Sequence, residues 1–232
     1  MNDYYCGIDF GNSSVKASYC KNAKTGSIYF DGGGGSGALL PNVIARRVLE
    51  SGEEKFFVGN SAIHEYQKMS RKVPVDLLFN VKKKLESEDT TVTFSDNKSV
   101  HAEELAKILF DNISNMVYRQ HAKQMPKAAA ITVPVCFSEI QKRRVRRAAE
   151  NSGFSINAVI TEPVAAIFST NTFGDFIQDR NNRLCFVLDF GGGTVDAALV
   201  RMKNTEANSV EIIIEGTGGI HFGGSDITDG LI

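Results

Sequence analysis

Two stretches of the sequence, residues 5–18 and 184–199, carry the same set of residues that could do chemistry. In each, an apolar run leads to an aspartate, a glycine turn and a hydroxyl side chain. The two stretches align, with matched pairs Asp9 and Asp189, Phe10 and Phe190, Gly11 and Gly191, Ser14 and Thr194, Val15 and Val195, and Ala17 and Ala197. The pattern predicts two strand–turn–strand hairpins. Two copies predict two related lobes that face each other across a cleft.

The turn residues suit phosphate. Glycine lets the backbone come close to a ligand, and successive N–H groups form an anion-binding concavity. The hydroxyls of Ser13, Ser14 and Thr194 can add donors. A carboxylate beside phosphate needs a cation between them, so Asp9 and Asp189 predict Mg²⁺ held largely through water. One copy alone would favour a plain tight hairpin, whereas two matching copies favour phosphate and metal. Neither G-x-x-x-x-G-K-[ST] nor a helix-opening G-x-G-x-x-G is present.

Composition narrows the function classes. The chain has 232 residues and a formal net charge of −1, which argues against a broad electrostatic grip on nucleic acid or membrane. The basic run at 142–147 has no interleaved aromatic residues, so we interpret it as a solvated or partner-docking face. Four cysteines stand singly without metal-ligand spacing, which indicates a reducing compartment. No signal peptide and no membrane-length apolar run are evident. We therefore expect a cytoplasmic protein with no nucleic-acid or membrane partner.

The remaining pattern predicts the elements that position these turns. Apolar residues at three-and-four spacing predict a helix over 101–120. A strand at 128–133, a helix from the capping box Ser138/Gln141 to Asn151, and a strand at 156–161 predict a right-handed parallel β-α-β unit. Its carboxyl end carries Glu162 and Pro163, where ligands gather in open α/β sheets.

Shorter elements complete the expected chain. We expect helices over 61–68 and 77–85 and from 223, short strands near 26–30, 41–45, 56–59, 91–94 and 210–217, a flexible glycine-rich tip at 32–37, and an inter-lobe hinge over 174–183.

Five segments occur in the order of a known family: GIDFGNSSVK, AAITVPVCFSEIQKRRVRRAAENSGF, VITEPVAA, VLDFGGGTVDAALV and GGIHFGGSD. Together they resemble the phosphate-1, connect-1 and phosphate-2 motifs of the heat-shock-70 (DnaK-like) chaperones. The resemblance implies an α/β, actin-like ATPase (ribonuclease H-like) fold. It also implies that residues 1–183 form a complete lobe I of the nucleotide-binding domain and that residues 184–232 begin a truncated lobe II.

The resemblance also implies site residues for ATP or ADP, Mg²⁺ and flanking K⁺. The phosphates would be wrapped by Gly11, Asn12, Ser13 and Ser14 from the first lobe and by Gly191, Gly192, Gly193 and Thr194 from the second. The metal would be organised, mostly through water, by Asp9, Asp189, Glu162 and Asp196. The catalytic set would be Lys82, Asp9, Asp189, Glu162 and Thr194, with Lys82 positioning the attacking water. The residues alone leave Lys82, Lys83 and Lys84 as equal candidates.

Several positions depart from the family pattern. Pro134 and Lys142 stand where the family relays nucleotide state to its peptide-binding domain, and Lys142 replaces the usual arginine, which loses the planar fork. Asn12 and Ser13 replace paired threonines, and Thr228 replaces an aspartate. These departures indicate a divergent member of the family that still binds nucleotide.

The expected function is ATP hydrolysis, phosphoryl transfer to water, in an ATP-dependent chaperone whose client peptides and co-chaperones bind outside this chain. The alternatives are a sugar kinase of the same superfold, a filament-forming actin-like protein and a non-hydrolysing nucleotide sensor. The lack of tryptophan, together with ITVPVCFSE and TEPVAA, favours the chaperone over the kinase. Because the family grips adenine mostly with residues beyond 232, we expect the isolated chain to bind ATP weakly and to be inactive.

Overall fold

A computed structural model describes residues 3–30, 37–70, 72–85, 90–121, 123–168, 183–204 and 210–230. This part of the chain is mixed α/β. Its elements, in chain order, are β1 (Tyr4–Phe10), β2 (Ser14–Lys21), β3 (Lys24–Ser27), β4 (Leu40–Pro41), β5 (Val43–Val48), β6 (Glu54–Val58), α1 (Asn60–Met69), β7 (Val75–Phe79), α2 (Val81–Lys84), β8 (Thr91–Thr93), β9 (Ser99–His101), α3 (Ala102–Gln120), β10 (Ala128–Val133), α4 (Glu139–Glu150), β11 (Ile156–Thr161), α5 (Glu162–Ile167), β12 (Arg183–Phe190), β13 (Val195–Asn204), β14 (Val210–Ile220) and α6 (Gly224–Asp229).

The chain divides into two compact units, Met1–Ile131 with Ser138–Val159, and Thr132–Phe137 with Ile160–Ile232. The predicted glycine tip at 32–37, except for Gly37, and the predicted hinge at 174–183, except for Arg183, lie outside the described residues. The assignment of residues 1–183 and 184–232 to two lobes stays a prediction. No helix in the described ranges is long and apolar enough to cross a membrane.

The main sheet contains the first hairpin. Its strands run in the order β11-β10-β1-β2-β3, and β4 also pairs with β2. The predicted helix at 101–120 is confirmed as α3, whose apolar face is buried because its hydrophobic residues recur at three-and-four spacing. The ring of Phe110 on α3 lies 5.0 Å from that of Phe10 at the end of β1. This contact fixes the strand end that leads into the turn.

The β10-α4-β11 segment is confirmed in its elements. Ser138 accepts a hydrogen bond from the Gln141 backbone N–H, and the Gln141 side chain accepts one from the Ser138 N–H, so the predicted capping box is present. β10 and β11 are neighbours in the sheet. The parallel direction and right-handed crossover of this unit stay predictions.

The predicted helix over 77–85 is wrong. Residues 75–79 form β7, which pairs antiparallel with β5, and only Val81–Lys84 are helical. Asn80 between them has left-handed backbone angles (φ 56°, ψ 51°), which end the strand and turn the chain into α2. The apolar residues of 77–79 belong to a strand because β5 offers them a partner. The predicted strand near 26–30 lies instead at 24–27.

A small sheet, β6-β5-β7, packs on α1 through Val43, Ala45 and Ala62. Arg46 on β5 is only 2% exposed and is surrounded by carboxylates. Its guanidinium donates to Glu54, to Asp76 (3.1 Å) and to Asp96 (2.7 Å). Burial alone would lower the pKa of Arg46, but these carboxylates raise it instead. The guanidinium therefore ties β6, β7 and the β8–β9 turn to β5.

In the second unit, β12-β13-β14 form an antiparallel sheet. One face packs on α5 through Val164, Ile167, Ala198 and Val200. The other face exposes alternate large side chains of β12, namely Leu184, Phe186, Leu188 and Phe190. The predicted second hairpin is thus confirmed.

We expect Arg46→Met to destabilise the protein by about 3–5 kcal/mol, because it leaves partly buried carboxylates without their cationic partner. Lys107→Met is the matched control, since Lys107 pairs with Asp111 on the surface of α3. That control should cost less than about 0.5 kcal/mol. Urea unfolding of both variants measures the difference, and equal losses would contradict this role for Arg46.

His121 predicts a loss of stability in acid. The centroid of its ring lies 4.5 Å from that of Tyr4 and 4.4 Å from that of Tyr19. Burial, and to a smaller extent the positive charge of Lys21, lowers the pKa of His121. A histidine with a lowered pKa is protonated more readily in the unfolded chain. Its stabilising contribution is therefore present above about pH 6.5 and is lost as the pH falls. Melting curves from pH 7.5 to 5.5 should show a smaller decrease for His121→Phe than for wild type, and parallel curves would contradict the prediction.

Candidate functional site: two glycine turns

The first turn lies between two fully buried anchors, Phe10 and Val15, which are paired across β1 and β2. A Cβ added to Gly11 would collide with the carbonyl oxygen of Ser14, so glycine is required there. The strand-to-turn geometry thus follows from residues that the sequence pattern had marked.

Asn12 is buried at this turn, and neither polar atom of its side-chain amide has a hydrogen-bond partner within the described residues. A buried amide without partners costs free energy, which a ligand can recover. An amide N–H is also a suitable donor to a phosphate oxygen. The turn therefore fits an anionic, oxygen-rich ligand.

Asp9 has a cation as its cross-strand partner. Asp9 pairs in register with Lys16, and Lys16 Nζ lies 3.4 Å from Asp9 Oδ2. Both side chains are substantially exposed, so this ion pair contributes at most about 1 kcal/mol. Lys16 did not emerge from the sequence, because a lysine on a strand carries no signal until its register is known.

Lys82 differs from its two lysine neighbours. It is 2% exposed, whereas Lys83 is half-buried and Lys84 is exposed. A lysine is rarely buried to this extent unless its ammonium group is paired. The sequence left the three lysines equivalent, and burial distinguishes Lys82. Its catalytic role stays a prediction.

Asn42, which the sequence analysis did not include in the site, is hydrogen-bonded to the first turn. Its backbone N–H donates to Ser13 O (2.9 Å), and its side-chain Nδ2 donates to Gly11 O (2.9 Å). Its side-chain Oδ1 accepts from the N–H of Val81, the residue before Lys82 (3.2 Å). The only sequence signal was a polar residue between Pro41 and the apolar run of β5.

The second turn is held by the start of α6. The Gly191 N–H donates to Thr194 O (2.9 Å), and the N–H groups of Gly224 and Ser225 donate to Gly191 O (3.0 Å) and Gly192 O (2.8 Å). A Cβ on Gly223 would lie 2.6 Å from Gly193 N. Gly223 is therefore required by the packing of α6 against this turn.

The second turn places two carboxylates opposite each other. Asp189 and Asp196 are cross-strand partners on β12 and β13. Asp196 is fully buried, and its Oδ1 accepts from the Val135 N–H (2.6 Å), while its Oδ2 has no hydrogen-bond partner in the described part of the chain. Carboxylates directly opposite one another repel.

A cation near the second turn would offset this repulsion, and oxygen ligands suit Mg²⁺ and K⁺. The residues present therefore fit a hard cation. Among the described residues, no three His, Cys, Asp or Glu side chains lie close enough to ligate a metal directly. Binding through water stays a prediction.

The other predicted residues are placed as follows. Glu162 begins α5 at the end of β11, with Pro163 after it, as expected. Pro134 O accepts from the Phe137 N–H (3.3 Å). Lys142 Nζ lies 2.8 Å from Glu139 Oε1, and this hydrogen bond lowers the pKa of Glu139. The relay assigned to Pro134 and Lys142 stays a prediction.

The first unit thus brings together Asp9, the turn at 11–14 and, through Asn42, the residues next to Lys82. The second unit brings together Asp189, the turn at 191–194 and Asp196. Whether the two turns face each other stays a prediction.

Comparison with known proteins gives consistent results. The family model described as Hsp70 protein matches residues 53–232, which is more than half of the chain. The chain is 25% identical over 224 residues to the "Chaperone protein DnaK" of Metamycoplasma hominis, covering 97% of this chain and 34% of that protein. It is 26% identical over 231 residues to the "Chaperone protein HscA homolog" of Rickettsia felis, covering 95% and 33%.

A eukaryotic relative is also similar. The "Ribosome-associated molecular chaperone SSB" of Candida glabrata is 27% identical over 137 residues, covering 59% of this chain and 21% of that protein. The chain spans about a third of the length of the curated relatives that it matches over most of its own length. The family implies the actin-like ATPase fold. With the two glycine turns and this match, the chain belongs to the Hsp70 family, as a distant relative of the DnaK and HscA chaperones.

Proposed function

We propose that this chain supplies the phosphate-binding and metal-binding turns of an ATP-dependent Hsp70-type chaperone. The observation that carries the proposal is the pair of matching glycine turns, each preceded by an aspartate at the end of a strand. Residues 1–183 would form lobe I, and residues 184–232 would begin lobe II. The location in the cytoplasm also stays a prediction.

In the first unit, Gly11, Asn12, Ser13 and Ser14 would bind the β- and γ-phosphates of ATP. The support is the buried, unpartnered amide of Asn12 and the required glycine at position 11. In the second unit, Gly191, Gly192, Gly193 and Thr194 would bind the same phosphates. Preorganised N–H donors of this kind stabilise charge without reorganising during the reaction.

Mg²⁺, when bound, would neutralise charge on the phosphates and leave the γ-phosphorus open to attack. Its water shell would be held by Asp189, Asp196, Asp9 and Glu162, and the aspartates would also organise flanking K⁺ through water. The unpartnered Oδ2 of Asp196 supports this assignment in the second unit. Lys82 would orient the attacking water and stabilise charge on the transferred group. Its burial keeps the ammonium away from bulk solvent. A charge acts more strongly on its neighbours in this low-dielectric environment than in water.

Client peptides and co-chaperones would bind parts of the protein outside this chain. Pro134 and Lys142 would relay the nucleotide state to those parts. Because Lys142 already pairs with Glu139 on the same helix, the relay would have to break or share that contact.

The role of Lys82 predicts the effect of Lys82→Met, which keeps most of the side-chain volume and removes the charge. ATP turnover by the full-length protein should fall about 100-fold, the usual cost of losing a preorganised charge stabiliser. Lys84→Met, on the exposed neighbour, is the matched control and should keep wild-type turnover. Equal, measurable rates in all three proteins would reject the role of Lys82. A wild-type protein that binds ATP without hydrolysing it would instead be a nucleotide sensor.

We expect the buried carboxylate of Asp196 to lower the stability of the apo protein and to support the binding of Mg²⁺. In the absence of nucleotide and metal, Asp196→Asn should raise the melting temperature by about 2–4 °C, because a buried neutral amide costs less than a buried carboxylate. The same variant should lose the stabilisation that Mg²⁺ adds to the ATP-bound protein. Asp196→Ala, which also loses the acceptor for the Val135 N–H, should instead lower the melting temperature. Thermal unfolding with and without Mg²⁺–ATP measures both effects, and a lower melting temperature for the apo Asn variant would contradict the prediction.

A further inference from the structure

Asn42 connects two parts of the proposed site that are far apart in sequence. It is fully buried between β4 and β5 and uses all of its hydrogen-bonding groups toward these parts. Toward the first turn, its backbone N–H donates to Ser13 O and its Nδ2 donates to Gly11 O, both at 2.9 Å. Toward α2, its carbonyl oxygen accepts from the Asn80 N–H at 3.0 Å and its Oδ1 accepts from the Val81 N–H at 3.2 Å.

The contacts toward α2 fall at the point where the direction of that helix is set. Asn80 has left-handed backbone angles, which lead the chain from β7 into the helix. Val81 is the first helical residue and is fully buried, and Lys82 follows it. Because α2 is only four residues long, few hydrogen bonds of its own hold it in place. The bonds to Asn42 therefore connect the first turn to the start of α2, directly before Lys82.

We propose that Asn42 is a positioning residue that holds Lys82 in register with the first phosphate turn. The inference rests on the proposed function, in which Lys82 and the first turn act on the same ATP molecule. One side-chain amide spans the two segments, so it holds the N–H of Val81 in a fixed position relative to the carbonyl of Gly11. A shift of about 1 Å in a catalytic group is enough to lower a rate about 100-fold.

The backbone and side-chain bonds of Asn42 can be separated by substitution. Asn42→Ala keeps the bonds from its N–H to Ser13 and from Asn80 to its carbonyl, and β4 still pairs with Ser14 and Val15. It removes only the amide bridge between Gly11 and Val81. We therefore expect the turn to keep its shape and its affinity for ATP, while Lys82 loses its register.

The experiment compares Asn42→Ala and Asn42→Ser with Ile44→Val in the full-length protein. A serine has a single side-chain oxygen and cannot bridge both groups. Ile44 lies on β5, two residues further along the chain, and is equally buried. It makes none of the four hydrogen bonds described for Asn42, so Ile44→Val controls for lost stability. Single-turnover hydrolysis and the Kd for ATP are measured separately for each variant.

The expected result is a split between rate and affinity. Both Asn42 variants should hydrolyse bound ATP at least about 10-fold more slowly, with Kd within about 3-fold of wild type. Ile44→Val should stay within about 2-fold in both. Amide hydrogen exchange at Val81 should accelerate at least about 10-fold in the Asn42 variants and not in the control.

Several outcomes would overturn the proposal. One is an unchanged hydrolysis rate in Asn42→Ala, and another is a parallel loss of rate and affinity that Ile44→Val shares, which would indicate a structural role. If wild type neither binds nor hydrolyses ATP, the proposed function is what fails. The exchange measurement then still decides whether Asn42 holds Val81, since unchanged exchange there would reject the bridge itself.

Discussion

In the first unit, one strand and the residue before it supply hydrogen-bond partners to polar groups of several neighbouring segments. Asn42, just before β5, satisfies carbonyl and N–H groups of the first turn and of the start of α2. Arg46 on β5 satisfies carboxylates from β6, β7 and the β8–β9 turn. Because a buried donor or acceptor left alone is costly, these bonds specify one arrangement of the surrounding segments. The position of Lys82 follows from that arrangement, since it comes directly after β7 and Asn80.

The two glycine turns repeat a backbone pattern with different charges. At the first turn, Asp9 faces a lysine across the strands, whereas at the second turn Asp189 faces another aspartate. A cation is therefore already present beside Asp9, whereas the cross-strand partner of Asp189 is the buried carboxylate of Asp196. On charge alone the second turn is the better cation site, and the first turn, with its unpartnered Asn12 amide, is the better anion site. The two matching turns are thus electrostatically unequal in this chain.

The sequence predicted those elements whose signal is local. β1 and β2, α3, the capping box of α4 and the strands β10 and β11 follow from periodicity, caps and turn residues within a few positions. The helix expected over 77–85 was wrong because its apolar residues pair with β5, some thirty residues earlier, and no local pattern records that partner. Asn42 was missed for the same reason, since a single asparagine becomes informative only when the turn and Val81 are brought to it. The choice of Lys82 among three lysines needed burial, which the sequence alone does not provide.

We propose that the two glycine turns bind the phosphates of ATP together with Mg²⁺. Calorimetric titration of ATP into the full-length protein, with Mg²⁺ and then with EDTA, tests it most directly. We expect saturable binding of one ATP per protein, which weakens strongly when Mg²⁺ is removed. Gly11→Val should abolish this binding, because the added side chain would collide with the Ser14 carbonyl. Absence of binding in the presence of Mg²⁺, or binding that Gly11→Val leaves unchanged, would contradict it.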